Sequence, residues 1–263
     1  MPSGLYIAAA GMNATLSQQD VIANNLANVS TVGFKQNRSV DLAFPTYLIA
    51  RLQDQQVKTM DGTADLRTNI GLMGGGVMTQ SVTTDFSQGA HLQTQNPLDL
   101  AINGSNFFTV MAPNGKTFLT RDGSFNLDAN GRLVTKDGLP VLGHNGEVYI
   151  DGSQVAVDKE GNITVDSKPL DQLLIVKPQD AGQLTKVGHS LFEASPQAKI
   201  DKAPDDIQVQ QGFLEQSNVN SMMEMVNMID NYRSYELNSR IVSTYDHVTV
   251  SYTHLTLPTI YSV

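Results

Sequence analysis

An α+β fold is predicted from three observations. Apolar residues recur at helical spacing at both ends of the chain, tight-turn dipeptides recur regularly between them, and no helical stretch inside that middle region could carry a parallel crossover. The expected order is helix, arm, antiparallel β domain, helix, with divisions at 1–34, 35–80, 81–211, 212–250 and 251–263.

Leu5, Ala9, Met12, Leu16, Gln19, Ala23 and Leu26 follow one another at alternating steps of 4 and 3, an a/d seam over three heptads with Ile22 beside it. Several neighbouring positions are alanine, so another backbone can approach closely while little apolar area is buried per turn. The helix is expected to stop at Asn28-Val29-Ser30-Thr31, with Gly33 as its terminator.

Residues 35–80 read as a loosely packed arm. Leu42, Phe44, Tyr47, Leu48, Ile49 and Leu52 form one apolar group around Pro45, Gln53–Asp65 is polar, and Gly71–Gly76 contains four glycines. So long an irregular segment is unusual inside a compact domain and is expected to become ordered on a partner.

From residue 81 the texture is β. Asn114-Gly115, Asp122-Gly123, Asn130-Gly131, Asp137-Gly138, Asn145-Gly146, Asp151-Gly152 and Glu160-Gly161 punctuate the chain every six to nine residues, the spacing of short strands joined by tight turns. Between them most segments alternate, as in Phe125/Leu127, Val148/Ile150 and Val155/Val157, which predicts one buried face. Ser221 and Glu224 then read as a capping box opening a second helix, with Met222, Val226, Ile229 and Tyr232 down one face and Leu237, Ile241 and Val248 continuing it.

Composition narrows the function. The 263 residues carry 17 Lys+Arg against 26 Asp+Glu, a net charge of −9 with no basic patch, which argues against binding nucleic acid. With no cysteine there is no disulfide, thiolate metal site or thiol nucleophile. No apolar run is long enough to span a bilayer, and Met1–Asn25 lacks the basic start and continuous apolar stretch of a secretory signal peptide.

The chemical motifs give no catalytic, cofactor or metal site. Gly71-Leu72-Met73-Gly74-Gly75-Gly76 lacks the lysine of a phosphate loop, and His91, His144, His189, His247 and His254 have no ligand spacing. Asn126, Asp128 and Asn130-Gly131 imitate a calcium loop, but the flanking leucines favour a hairpin.

Three groups of residues do carry a resemblance. They are Gly4-Leu5-Tyr6 through Gly11-Met12 with Asp20 through Lys35; Ser87-Gln88-Gly89 and Pro97 through Gly104 with Thr120-Arg121-Asp122-Gly123-Ser124-Phe125; and Gly212-Phe213-Leu214-Glu215-Gln216-Ser217-Asn218 with Glu224 through Asn238. In this order they resemble the bacterial flagellar axial proteins of the rod and hook group. The resemblance implies a structural subunit of the basal-body rod, spanning the cell envelope and transmitting torque from motor to hook. It also implies export without a cleaved signal peptide, no cofactor or small-molecule substrate, and other rod and hook subunits as partners.

Two departures stand out. Asn106 replaces a common glycine and is expected to supply the same positive φ. Ser251–Val263, with Pro258, departs from the helix that relatives continue and reads as a non-native tail.

On this reading the ends are mobile in the monomer and form a coiled-coil core with neighbouring copies in a helical tube, with the β domain outside and the arm bridging subunits. The expected assembly residues are Leu5, Met12, Leu16, Ile22 and Leu26 with Met222, Val226, Ile229, Leu237 and Ile241, while Asn24, Asn25 and Asn28 set register against a neighbour. One alternative is an intramolecular helical hairpin; another is a secreted β-domain enzyme or adaptor acting on the cell envelope. The enzyme would use two of the carboxylates Asp99, Asp122, Asp128 and Glu147.

Overall fold

The computed structural model of the chain describes residues 3–51, 56–59, 62–65, 68–152, 154–188, 190–195, 199–201 and 207–256. It divides into two units: residues 1–23, 38–82 and 225–263 in one, 24–37 and 83–224 in the other. The chain is α+β, with α1 at Ser3–Ala27, α2 at Ser221–Thr256 and antiparallel strands between them.

In the first unit α1 and α2 lie side by side and antiparallel. A Cβ on Gly4 would fall within 2.4 Å of the Tyr245 hydroxyl, and one on Gly11 would meet the Asn238 amide at 3.0 Å. Asn231 donates its side-chain amide to the Thr15 carbonyl at 2.7 Å and to Gln19 Oε1 at 3.0 Å. Only small residues permit this approach, so the contact line is Gly4, Gly11 and Thr15, with buried Ala8 in step. It lies one residue before the expected Leu5, Ala9, Met12, Leu16 seam, a rotation of about 100° around the helix.

The arm contains regular structure where an irregular connector was expected. β1 (Asn37–Ala43) pairs β6 (Val77–Thr84), β2 (Thr46–Arg51) pairs β5 (Thr68–Gly74), and β3 (Gln56–Thr59) pairs β4 (Gly62–Asp65). The three antiparallel pairs are nested in sequence, β3–β4 within β2–β5 within β1–β6. Their ladders satisfy the backbone, and α1 reaches part of the segment, with Gln18 donating to Asp41 and a Cβ on Gly76 falling 3.2 Å from that of Ala10, but two-stranded pairs bury few side chains. Leu42, Phe44, Tyr47 and Leu48 are therefore exposed rather than clustered, and the Leu52 side chain lies outside the described residues.

The second unit holds the core. A six-stranded sheet orders its strands as Leu184–Gly188, Leu191–Ala194, Thr117–Thr120, Phe107–Met111, Ile175–Pro178 and Ile200–Asp201. The Phe107–Met111 strand is covered on both faces, in keeping with a sequence that is apolar at every position except Thr109. Phe108 and Val110 enter a cluster with Phe118, Phe125, Leu133 and Ile163. Phe107 turns the other way to Phe86 and Phe192, whose ring centroids lie 5.9 Å from it.

The turn dipeptides divide into two kinds. Gly115, Gly131, Gly138, Gly146 and Gly161 have positive φ, as tight turns require. Gly123 does not; a Cβ there would lie 1.6 Å from the Leu100 carbonyl oxygen, so Asp122-Gly123 marks a close crossing of backbones. Leu127 pairs Leu133 across the Asp128–Gly131 turn, which makes the calcium-like stretch a hairpin.

Two further expectations are corrected. Asn106 is fully buried and is not among the positive-φ residues; Gly104, two residues earlier, makes that turn at φ 86. The cap of α2 is Asn220, whose Oδ1 accepts from the backbone N–H of Met222 at 3.1 Å and Met223 at 3.2 Å. Ser221 is already helical, and the Glu224 carboxylate is buried, taking bonds from Asn25 and Gln36. At its far end α2 continues to Thr256, through the first half of the tail expected to break it; Pro258 lies outside the described residues.

Candidate functional site

The residues expected to mediate assembly fall into two classes. On α2, Met222 (76% exposed), Val226, Ile229, Leu237 (60%) and Ile241 are all exposed. Asn231, Asn238 and Tyr245, spaced by seven, meet α1, so Met222, Val226 and Ile229 occupy the far side of α2 and Leu237 its flank, while Ile241, three residues after Asn238 and four before Tyr245, lies beside the contact line. On α1, Leu16 is exposed, whereas Leu5, Met12, Ile22 and Leu26 are half-buried.

The asparagines are placed differently from one another. Asn24 is exposed, and Asn28 donates its side-chain amide to the Asn24 carbonyl at 2.8 Å. Asn25 is buried within its own chain: it accepts from the Asn37 N–H at 2.9 Å and donates to the Asn37 carbonyl at 2.8 Å and to Glu224 at 3.4 Å. Glu224 also accepts from Gln36 Nε2 at 2.8 Å. Asn25 and Glu224 thus tie the end of α1 to the start of α2 inside the second unit.

A buried ionic cluster lies in the same unit. Glu215 accepts from Lys35 Nζ at 2.7 Å and Arg121 Nη1 at 3.0 Å, with all three side chains about 1% exposed. The carboxylate also takes the Gly89 N–H at 3.0 Å, while Lys35 donates to the Ser87 carbonyl at 2.7 Å and Arg121 to the carbonyls of Ile102 and Gly104. Arg121 further stacks 4.8 Å from the Phe107 ring centroid. These partners offset most of the cost of burying the three charges, although the Arg121 Nε is buried without a hydrogen-bond partner.

The local chain is built around this cluster. Gly33 adopts φ +65 and its N–H donates to the Glu215 carbonyl at 2.8 Å; a Cβ there would lie 2.5 Å from the Arg121 carbonyl carbon. The terminator expected for α1 is therefore also the point where the chain lies down on Arg121. Desolvation lowers the Lys35 and Arg121 pKa values, opposed in both cases by Glu215. Beside them Lys186 sits 3.6 Å over the Phe34 ring and donates to the Lys35 carbonyl at 3.2 Å; burial pulls its pKa down to about 8.

The sequence reading did not identify Lys35, Arg121 and Glu215 as a unit, because 94 and 180 residues separate Glu215 from its two partners. The signal available was that charged residues interrupt otherwise apolar or glycine-rich segments in all three motif groups.

The carboxylates of the enzyme alternative have structural partners. Asp99 accepts from Asn96, Asp122 from the Ser124 N–H, and Asp128 and Glu147 both from Arg132, at 3.1 and 3.4 Å. Among the described residues no group of three His, Asp or Glu could hold a metal, and no helix is long and apolar enough to cross a membrane.

Comparison with known proteins gives three family matches. The family described as "Flagella basal body rod protein" matches residues 5–35, "Flagellar hook protein FlgE/F/G D1 domain" matches 101–165, and "Flagellar basal body rod FlgEFG protein C-terminal" matches 210–248. Lys35, Arg121 and Glu215 each fall in a different one of these segments. Among curated relatives, the flagellar basal-body rod protein FlgG of Agrobacterium fabrum is 35% identical, covering 93% of this chain and 95% of that protein. FlgG of Borreliella burgdorferi is 34% identical over 94% and 96%, and FlgF of Caulobacter vibrioides 33% over 90% and 90%.

Proposed function

The chain belongs to the flagellar basal-body rod protein family and is a structural subunit, not an enzyme; from that premise we propose that it polymerises through its terminal helices into a helical tube that carries torque from motor to hook. The observation that supports this is the far side of α2, where Met222, Val226 and Ile229 are between 52% and 76% exposed, with Leu237 at 60% on its flank and Ile241 still 45% exposed beside the α1 contact. Covering what remains exposed of each such side chain is worth about 1–2 kcal/mol. Its opposite side is already engaged with α1, so a subunit keeps its helix pair and still offers an apolar stripe to a neighbour.

Contact between this stripe and a different surface on the next copy is heterologous, the kind that propagates into a filament. In this reading residues 1–34 and 212–250 form a coiled-coil core with neighbours, 35–80 is an arm between subunits, and 81–211 is the outer β domain. Leu16 and Asn24 on α1 join the contact. The partners are other rod and hook subunits; the protein spans the envelope within the basal body and is exported without a cleaved signal peptide.

Electron microscopy of the purified chain mixed with purified rod subunits tests the proposal. Tubes that incorporate the chain are expected; a chain that stays outside every tube contradicts it.

A further inference from the structure

We infer that Asn130 is a site of spontaneous covalent modification, the position at which this protein deamidates as it ages in its folded state. In the reaction the backbone nitrogen of the following residue attacks the side-chain carbonyl carbon of asparagine. The new C–N bond closes a five-membered succinimide, the side-chain nitrogen leaves as ammonia, and water then opens the ring to aspartate or isoaspartate. No oxidant or cofactor takes part. A following glycine gives the least steric hindrance, and the chain has four such places: Asn103-Gly104, Asn114-Gly115, Asn130-Gly131 and Asn145-Gly146.

The structure distinguishes them by how the amide side chain is held. The attack requires the asparagine side chain to rotate toward the next nitrogen, so hydrogen bonds that fix it elsewhere slow the reaction. Asn103 donates to Gln208 and accepts from Gln88, which also binds the Gly104 N–H. Asn114 accepts from the Lys116 N–H at 3.0 Å. Asn145 donates to Asp171 at 2.9 Å, and its own N–H is held by the other oxygen of that carboxylate at 3.3 Å.

Asn130 is exposed, and among the described residues no hydrogen bond holds its side chain. The Gly131 N–H is bonded to the Asp128 carbonyl at 2.9 Å, but the Gly115 N–H is bonded equally to Ala112, so this bond does not separate the two sites. The product places a new negative charge in the turn that joins Asp128 to Arg132, whose guanidinium already serves both Asp128 and Glu147.

The test is peptide mapping by mass spectrometry of the intact chain held at mildly alkaline pH, natively and in urea. In the native protein Asn130 is expected to convert several-fold faster than the other three, while in urea the four rates converge. A native order headed by Asn103, Asn114 or Asn145 overturns the assignment, as does a fully preserved Asn130. An Asp171→Ala variant tests the tether argument separately: Asn145 is expected to speed up several-fold with Asn130 unchanged, and an unaltered Asn145 rate refutes it.

Discussion

Replacing Glu215 by Gln removes the one anion that Lys35 and Arg121 share at 2.7 and 3.0 Å. The amide keeps the shape and can still accept from Gly89, but two cations with about 1% exposure are left facing each other without a counter-charge. Breaking a buried pair in this way costs about 3–5 kcal/mol. For a protein of this size each kcal/mol is worth roughly 2–4 °C in Tm, so a fall of roughly 6–20 °C is expected.

Lys35→Met is the informative comparison, because it leaves Arg121 and Glu215 as a one-to-one pair and so costs less. The sign of the pH effect is also fixed. Desolvation already holds the Lys35 pKa below its ordinary 10.5, and losing Glu215 removes the largest opposing influence. The folded variant then binds fewer protons than the unfolded chain over the window below 10.5, so its stability rises as pH rises through that window. Urea unfolding followed by circular dichroism reads both effects. A Glu215→Gln variant no weaker than Lys35→Met, or one whose deficit grows with alkalinity, refutes the argument.

Further expectations concern the surrounding joints. Gly33→Ala forces a side chain into φ +65 and against the Arg121 backbone, and should lower stability by more than about 1 kcal/mol, measured by urea unfolding. Asn220→Ala removes two bonds to the first turn of α2 and should cost about 1 kcal/mol, whereas Ser221→Ala should cost little, contrary to the capping-box reading. Lys186 should titrate near 8 in a side-chain NMR experiment. Since its unfolded form keeps its proton to about 10.5, this residue adds stability as pH rises from about 8 to 10.5, and Lys186→Met should flatten that rise.

Local chemistry made much of the fold legible. Asn-Gly and Asp-Gly spacing located hairpin turns at Gly131 and Gly138, and helical periodicity located both terminal helices. What escaped the sequence depends on pairing at long range. Thr15 and Asn231 meet across 216 residues, so the choice between the Leu5 line and the Gly4 line on α1 was not fixed by periodicity; steric access decided it, favouring glycine. Likewise the arm buries few of its side chains, so most of it carries no strand signature in the sequence.

The ionic cluster was invisible for the opposite reason. Lys35, Arg121 and Glu215 look like ordinary surface charges in their own segments, and only the convergence of those segments removes them from water.

Sedimentation of the full chain carrying Ile229→Asp tests the central claim most directly. Ile229 is 52% exposed on the far side of α2, so the substitution should leave the monomer's circular dichroism and Tm unchanged while abolishing polymer that pellets with the unaltered chain. Polymer formed by Ile229→Asp as readily as by the parent chain would contradict assembly through this face.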